Sequence, residues 1–192
     1  RESDLPSTLG TAAALKALEI DDTLAEGHAS LAWIMALYEW NWSGAKTEFQ
    51  RAIALNPNYA TAHQWYGIVL WNTGLLEESM VQVKKALELD PLSVIINRNV
   101  GDVLLFTRNY DQAIERYRKT LELDPGFASA INNLALAHVQ KGMYADAIRD
   151  YEKALGPVPG NSPLPGLAYV YAKAGKKEEA RQILNRLEEA SK

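Results

Sequence analysis

Apolar residues recur along the chain at three- and four-residue spacing, which gathers them on one face of an α-helix. Ile131, Leu134, Ala135 and His138 make one such face, and Ala147, Ile148, Tyr151, Ala154 and Leu155 make the next. A glycine ends the first segment of a pair at Gly74, Gly142 and Gly175, because the backbone beyond a helix end often turns left-handed. A proline stops the second segment at Pro57, Pro91, Pro125 and Pro159, since its ring cannot donate the next helical hydrogen bond. The pattern predicts an all-α chain of helical hairpins.

The hairpins repeat. Ala54-Leu55-Asn56-Pro57, Leu87-Glu88-Leu89-Asp90-Pro91 and Leu121-Glu122-Leu123-Asp124-Pro125 recur at a step of 34 residues, and Pro159 extends the ladder. Gly67, Gly101 and Ala135 keep the step, as do Ser79, Ala113 and Ala147. Ala168 and Ala180 follow each series at 33. Paired small residues let the two helices of a hairpin approach closely. Ala52, Ala86 and Ala154 are placed to do the same between hairpins, and Phe49, Tyr117, Tyr151 and Leu184 to fill the remaining space.

Small residues at fixed offsets, an Ala-x-x-x-aromatic phrase and a closing proline at this period resemble the tetratricopeptide repeat. The resemblance implies a right-handed α-solenoid of stacked antiparallel hairpins, one domain over residues 1–192. Full repeats are expected at 25–59, 60–93, 94–127, 128–160 and 161–192, behind a partial repeat at 1–24 whose second helix covers 5–22. Aligning Ala32 with Gly67 requires one extra residue in the first hairpin loop, at Trp40-Asn41-Trp42, with both tryptophans clamping that loop. Thr120 and Leu187 replace the small inter-repeat residue. Gly156-Pro157-Val158-Pro159-Gly160 with Pro163 and Pro165 reads either as a hinge or as a longer ordered turn.

In such arrays the first helices line a concave groove that holds peptides or helices of partner proteins. The positions implied for this groove are Trp33, Gln64, Trp65, Ile68, Asn72, Arg98, Asn99, Asp102, Asn132, Asn133, Gln140 and Lys173. Asn99 and Asn133 are equivalent, and a carboxamide can grip a peptide group through both its donor and its acceptor. Repeats that clamp the acidic C-termini of heat-shock chaperones need Lys, Asn and Arg where this chain has Arg98, Asp102, Ser162 and Gly166. That ligand class is not expected. The Ala25 to Gly67 stretch also resembles C-terminal arrays of bacterial regulators, so an alternative role is a regulatory or oligomerisation module for an attached DNA-binding or kinase domain.

Composition narrows the partners. The 192 residues carry a formal charge of −4, and binding to nucleic acid starts from a basic face, so none is expected. No cysteine is present, which removes Cys-ligated zinc and thiol nucleophiles. His28, His63 and His138 lack the close spacing of a helical metal motif and read as packed, satisfied side chains. No phosphate loop, nucleophile elbow or metalloprotease motif occurs, so neither catalysis nor a cofactor is expected. No apolar run reaches the roughly 20 residues of a membrane span, and the start at Arg1 suggests a fragment or processed product. A cytoplasmic protein is expected, with a protein or peptide ligand and possible self-association through the apolar edge of residues 5–22.

Overall fold

The computed structural model describes residues 5–154 and 164–190. Residues 155–163, which contain most of the proline-rich junction, lie outside that description. Eleven helices and no strand occur among the described residues. They are α1 (Leu5–Ile20), α2 (Ala25–Leu37), α3 (Trp42–Leu55), α4 (Ala60–Asn72), α5 (Leu76–Leu89) and α6 (Val94–Phe106), then α7 (Tyr110–Leu123), α8 (Ala128–Gln140), α9 (Tyr144–Ala154), α10 (Leu164–Lys173) and α11 (Lys177–Ala190). The chain divides into two compact units, 1–99 and 100–192, with the division inside α6.

Local chemistry explains the punctuation. Between hairpins an Asp or Asn carboxyl or amide oxygen accepts from the backbone two residues on, at Asp21 with Thr23, Asn56 with Asn58 and Asp124 with Gly126. This Asx turn is why the residue before Pro57 and Pro125 is polar and short. Within hairpins, one residue per turn is left-handed: Trp40 (φ 55°), Gly74 (81°), Arg108 (61°), Gly142 (73°) and Gly175 (78°). The closing bond runs from Leu75 to Leu70, Asn109 to Leu104, Met143 to His138 and Lys176 to Tyr171, five residues back. In the first hairpin it runs from Asn41 to Met35, six back. That is the extra residue of the first loop, and Asn41 compensates by capping α3 with its side chain on the Gly44 amide, 2.9 Å away. Trp42 packs on the core, whereas Trp40 is 71% exposed and touches Trp42 edge-on at 5.6 Å. Only one of the two tryptophans is a clamp.

In unit 1, α2, α3 and α4 enclose a core of Ala29, Ala32, Ala36, Ala45, Phe49, Ala52, Ala62, Tyr66, Val69 and Leu70. Small residues dominate because the helices run close. Ser79 donates to the Gly67 carbonyl at 2.7 Å, and a β-carbon on Gly67 would sit 2.6 Å from Val83 Cγ1. His28 and His63 each hold the carbonyl six residues back, on Asp22 and Pro57, both at 3.0 Å. Their other nitrogens meet Glu48 and Gln82 on the paired helix. Asn97 repeats the first contact, donating to the Pro91 carbonyl at 2.9 Å.

In unit 2 the core joins Ala135, Val139, Ala147, Ile148, Tyr151, Leu167, Ala168, Val170 and Ile183. Tyr117 is fully buried, and Thr120 fits the crowded interior by donating its hydroxyl to the Arg116 carbonyl at 3.0 Å. Leu184 corrects the expected filler series. It is 50% exposed, because α11 turns Ile183 and Leu187 toward the core instead. His138 is a second correction, since only half of its ring is satisfied. Nδ1 lies 2.6 Å from Asp150 Oδ2, while the buried Nε2 has no partner among the described residues. Burial pushes the Asp150 carboxyl above its ordinary value, and the bond and charge of His138 oppose that rise.

Candidate partner-binding surface

The first helices α2, α4, α6, α8 and α10 carry the positions implied for ligand binding. In unit 1, Trp33 of α2 and Trp65 of α4 stack at 5.2 Å with their planes 25° apart. Both are half-buried and pack against the core. Ile68 is half-buried and Asn72 exposed. The Gln64 carboxamide lies 3.0 Å from that of Asn99. Asn99 itself is 1% exposed. The orientation that satisfies its surroundings puts Nδ2 on the Ile95 carbonyl at 2.9 Å and Oδ1 against the Arg98 guanidinium at 3.2 Å. Asn99 therefore organises α6 internally, and Arg98 is half-buried beside it.

In unit 2, Asp102 is likewise 1% exposed. Its Oδ1 accepts from Tyr117 Oη at 2.8 Å and from Asn133 Nδ2 at 2.7 Å, tying α6, α7 and α8 together. Burying a carboxylate demands such donors, so Asp102 belongs to the interior and not to a ligand surface. Asn133 keeps its oxygen for other contacts, and Asn132 holds a buried Oδ1 with no hydrogen-bond partner. Gln140 and Lys173 are exposed, with Lys173 Nζ 5.6 Å from the Tyr169 ring centre.

Sequence reasoning misses several surface residues that share these steps. Asn72, Phe106 and Gln140 are 34 residues apart, with Lys173 33 further on, and Phe106 is 57% exposed. Ile68, Asp102 and Leu136 form a parallel series that ends at Tyr169, and both Leu136 and Tyr169 are exposed. The repeat step itself is the signal that finds them. Leu105, Phe106, Arg108, Tyr110, Leu136 and Gln140 line an open pocket of about 360 Å³. Among the described residues no group of three potential metal ligands exists, and no helix is long and apolar enough to cross a membrane.

No curated protein matches the chain in sequence. Among solved structures it is similar to PilW, a widely conserved type IV pilus biogenesis factor, with a TM-score of 0.87 at 22% identity over 97% of this chain and 86% of that one. It is similar to pilF of Pseudomonas aeruginosa, with a TM-score of 0.82 at 24% identity over 98% and 86%. It also resembles YrrB, described as a TPR protein with an unusual peptide-binding site, with a TM-score of 0.71 at 20% identity over 90% and 89%. These likenesses show a shared fold, an α-solenoid of helical hairpins. Sequence profiles of the tetratricopeptide repeat match residues 36–94 and 99–162, and another matches 138–192. The chain belongs to the tetratricopeptide repeat family.

Proposed function

We propose that the chain is a non-catalytic scaffold that holds a peptide or partner protein along the exposed faces of its first helices. The stacked, half-exposed Trp33–Trp65 pair carries this reading. Rigid aromatic rings anchored on one face bind at small entropic cost, and such residues dominate interface energetics. Gln64 and Asn72 supply adaptable polar contacts in unit 1, and Asn132, Asn133, Gln140 and Lys173 supply them in unit 2. Members of the family generally mediate protein–protein interaction, and the peptide-binding site named for YrrB agrees with that role. The expected repeats at 25–59, 60–93, 94–127, 128–160 and 161–192 would each contribute one such face.

The test compares proteins captured from source-cell lysate by the wild type and by Trp33→Ala/Trp65→Ala, after circular dichroism shows equal helicity. Partners held by the wild type and lost by the variant support the scaffold. Identical capture by both, or no capture, removes it.

One observation favours a second reading, an oligomerisation or regulatory module. Helix α1 leaves Leu9, Leu15 and Ile20 exposed. Sedimentation over a wide concentration range tests it: a dimer broken by Leu9→Lys/Ile20→Lys supports pairing through α1, and a monomer throughout argues against it.

A further inference from the structure

Arg108 occupies the left-handed turn position held by Gly74, Gly142 and Gly175 in three other hairpins. Every side chain is disfavoured there relative to glycine, so the arginine is kept against the preference of its own backbone. Its side chain lines the open pocket of about 360 Å³ together with Leu105, Phe106, Tyr110, Leu136 and Gln140. Exposed Phe106 and Leu136 supply the pocket's apolar surface beside a larger polar share, and Arg108 is the one charged group among these lining residues. Its guanidinium has no ion-pair partner among the described residues, whereas the adjacent Lys141 is already paired with Asp111.

We propose that this pocket takes a large apolar side chain of a partner peptide, with an aspartate or glutamate neighbouring it in the peptide paired to Arg108. The inference rests on the peptide-scaffold reading and adds the chemistry of its ligand. A guanidinium presents a planar fork that matches a carboxylate in two parallel hydrogen bonds. A phosphate group fits less well, since the lining residues offer one cation for a doubly charged ion. The Leu136 and Phe106 surfaces then desolvate the apolar side chain, which strengthens the adjacent ion pair.

The test pans the full chain against a phage-displayed library of random dodecapeptides and measures the enriched consensus as a labelled synthetic peptide by fluorescence anisotropy. Arg108→Gly is the informative variant, because glycine is native to the equivalent turns and the fold tolerates it. The expected consensus pairs a large apolar residue with Asp or Glu, and Arg108→Gly binds it about tenfold more weakly, the effect of one lost charge-assisted contact. Changing the peptide's acidic residue to its amide gives a similar loss. Combining both changes costs little more than either alone.

A consensus without an acidic residue, or losses that multiply, overturns the Arg108 pairing while leaving the scaffold reading intact. Enrichment of no peptide at all defeats both readings. A consensus lost in Trp65→Ala but unchanged in Arg108→Gly supports the scaffold and rejects this pocket.

Discussion

At the scale of single residues, the left-handed turns separate backbone cost from side-chain gain. A β-carbon in that conformation costs roughly 1–2 kcal/mol, and glycine returns about 0.5–1 kcal/mol of that through its freer unfolded chain. Arg108→Gly is therefore expected to raise stability by about 0.5–1 kcal/mol in urea unfolding followed by circular dichroism. Trp40→Gly relieves the same strain but loses the edge-on contact with Trp42, worth about 0.5–1.5 kcal/mol, so it should come out close to neutral. Gly74→Ala runs the other way and should cost about 1 kcal/mol, all of it from the local backbone, because its β-carbon would meet no other part of the protein within 4 Å. If Arg108→Gly destabilises instead, the arginine serves the fold and its retention needs no ligand. The three glycines of this series are visible in the sequence. Arg108 and Trp40 are not, because neither residue type advertises a positive φ and only the repeat step exposes them.

At the scale of elements, buried polar pairs fasten neighbouring helices and make them sensitive to pH. His138 of α8 and Asp150 of α9 meet at 2.6 Å, and burial raises the Asp150 carboxyl from its ordinary 3.8. An acid held more tightly protonated in the folded state favours folding fully below 3.8. That contribution is lost as the pH rises through the folded value. Arg149 and Asp146 act on the same carboxylate with opposite signs, lowering and raising it. Asp150→Asn cannot ionise, so its melting temperature should gain on the wild type as the pH is raised above 3.8. A gap that shrinks instead would mean that the ion pair with His138 outweighs the burial cost. The triad of Asp102, Tyr117 and Asn133 makes a companion case. Tyr117→Phe withdraws one donor from a buried carboxylate and should cost about 1–3 kcal/mol in urea unfolding.

The pairing of helices is legible in the 34-residue step, because small residues, turn glycines and prolines all keep one phase. The candidate surface is less so. Asn99 and Asn133 share a repeat position, yet Asn99 is absorbed by its own helix and Gln64, while Asn133 donates to Asp102. Position in a repeat predicts which way a side chain leaves the helix, but not whether a neighbour claims it. The same limit explains Leu184, whose expected role passes to Ile183 one residue earlier on α11.

At the scale of the molecule, all five tryptophans fall between residues 33 and 71, inside unit 1. Tandem repeats contact mainly their neighbours, so each hairpin reports its local surroundings. The Trp33–Trp65 stack is then a built-in sensor of the proposed binding face. A ligand that covers α2 and α4 must change the solvation of those two half-buried rings, and it should alter tryptophan emission with a midpoint equal to its dissociation constant. Trp65→Phe removes one partner of the stack while keeping an aromatic ring of similar shape. Subtracting its titration from that of the wild type isolates the contribution of the stack from those of Trp40, Trp42 and Trp71. A difference signal that saturates with binding places the ligand on α2 and α4. At about a hundredfold excess over its dissociation constant the same ligand should add close to 2.7 kcal/mol to stability. Stabilisation of that size with no difference signal would move the ligand off the tryptophan pair, and the pocket beside Arg108 becomes the surface to test next.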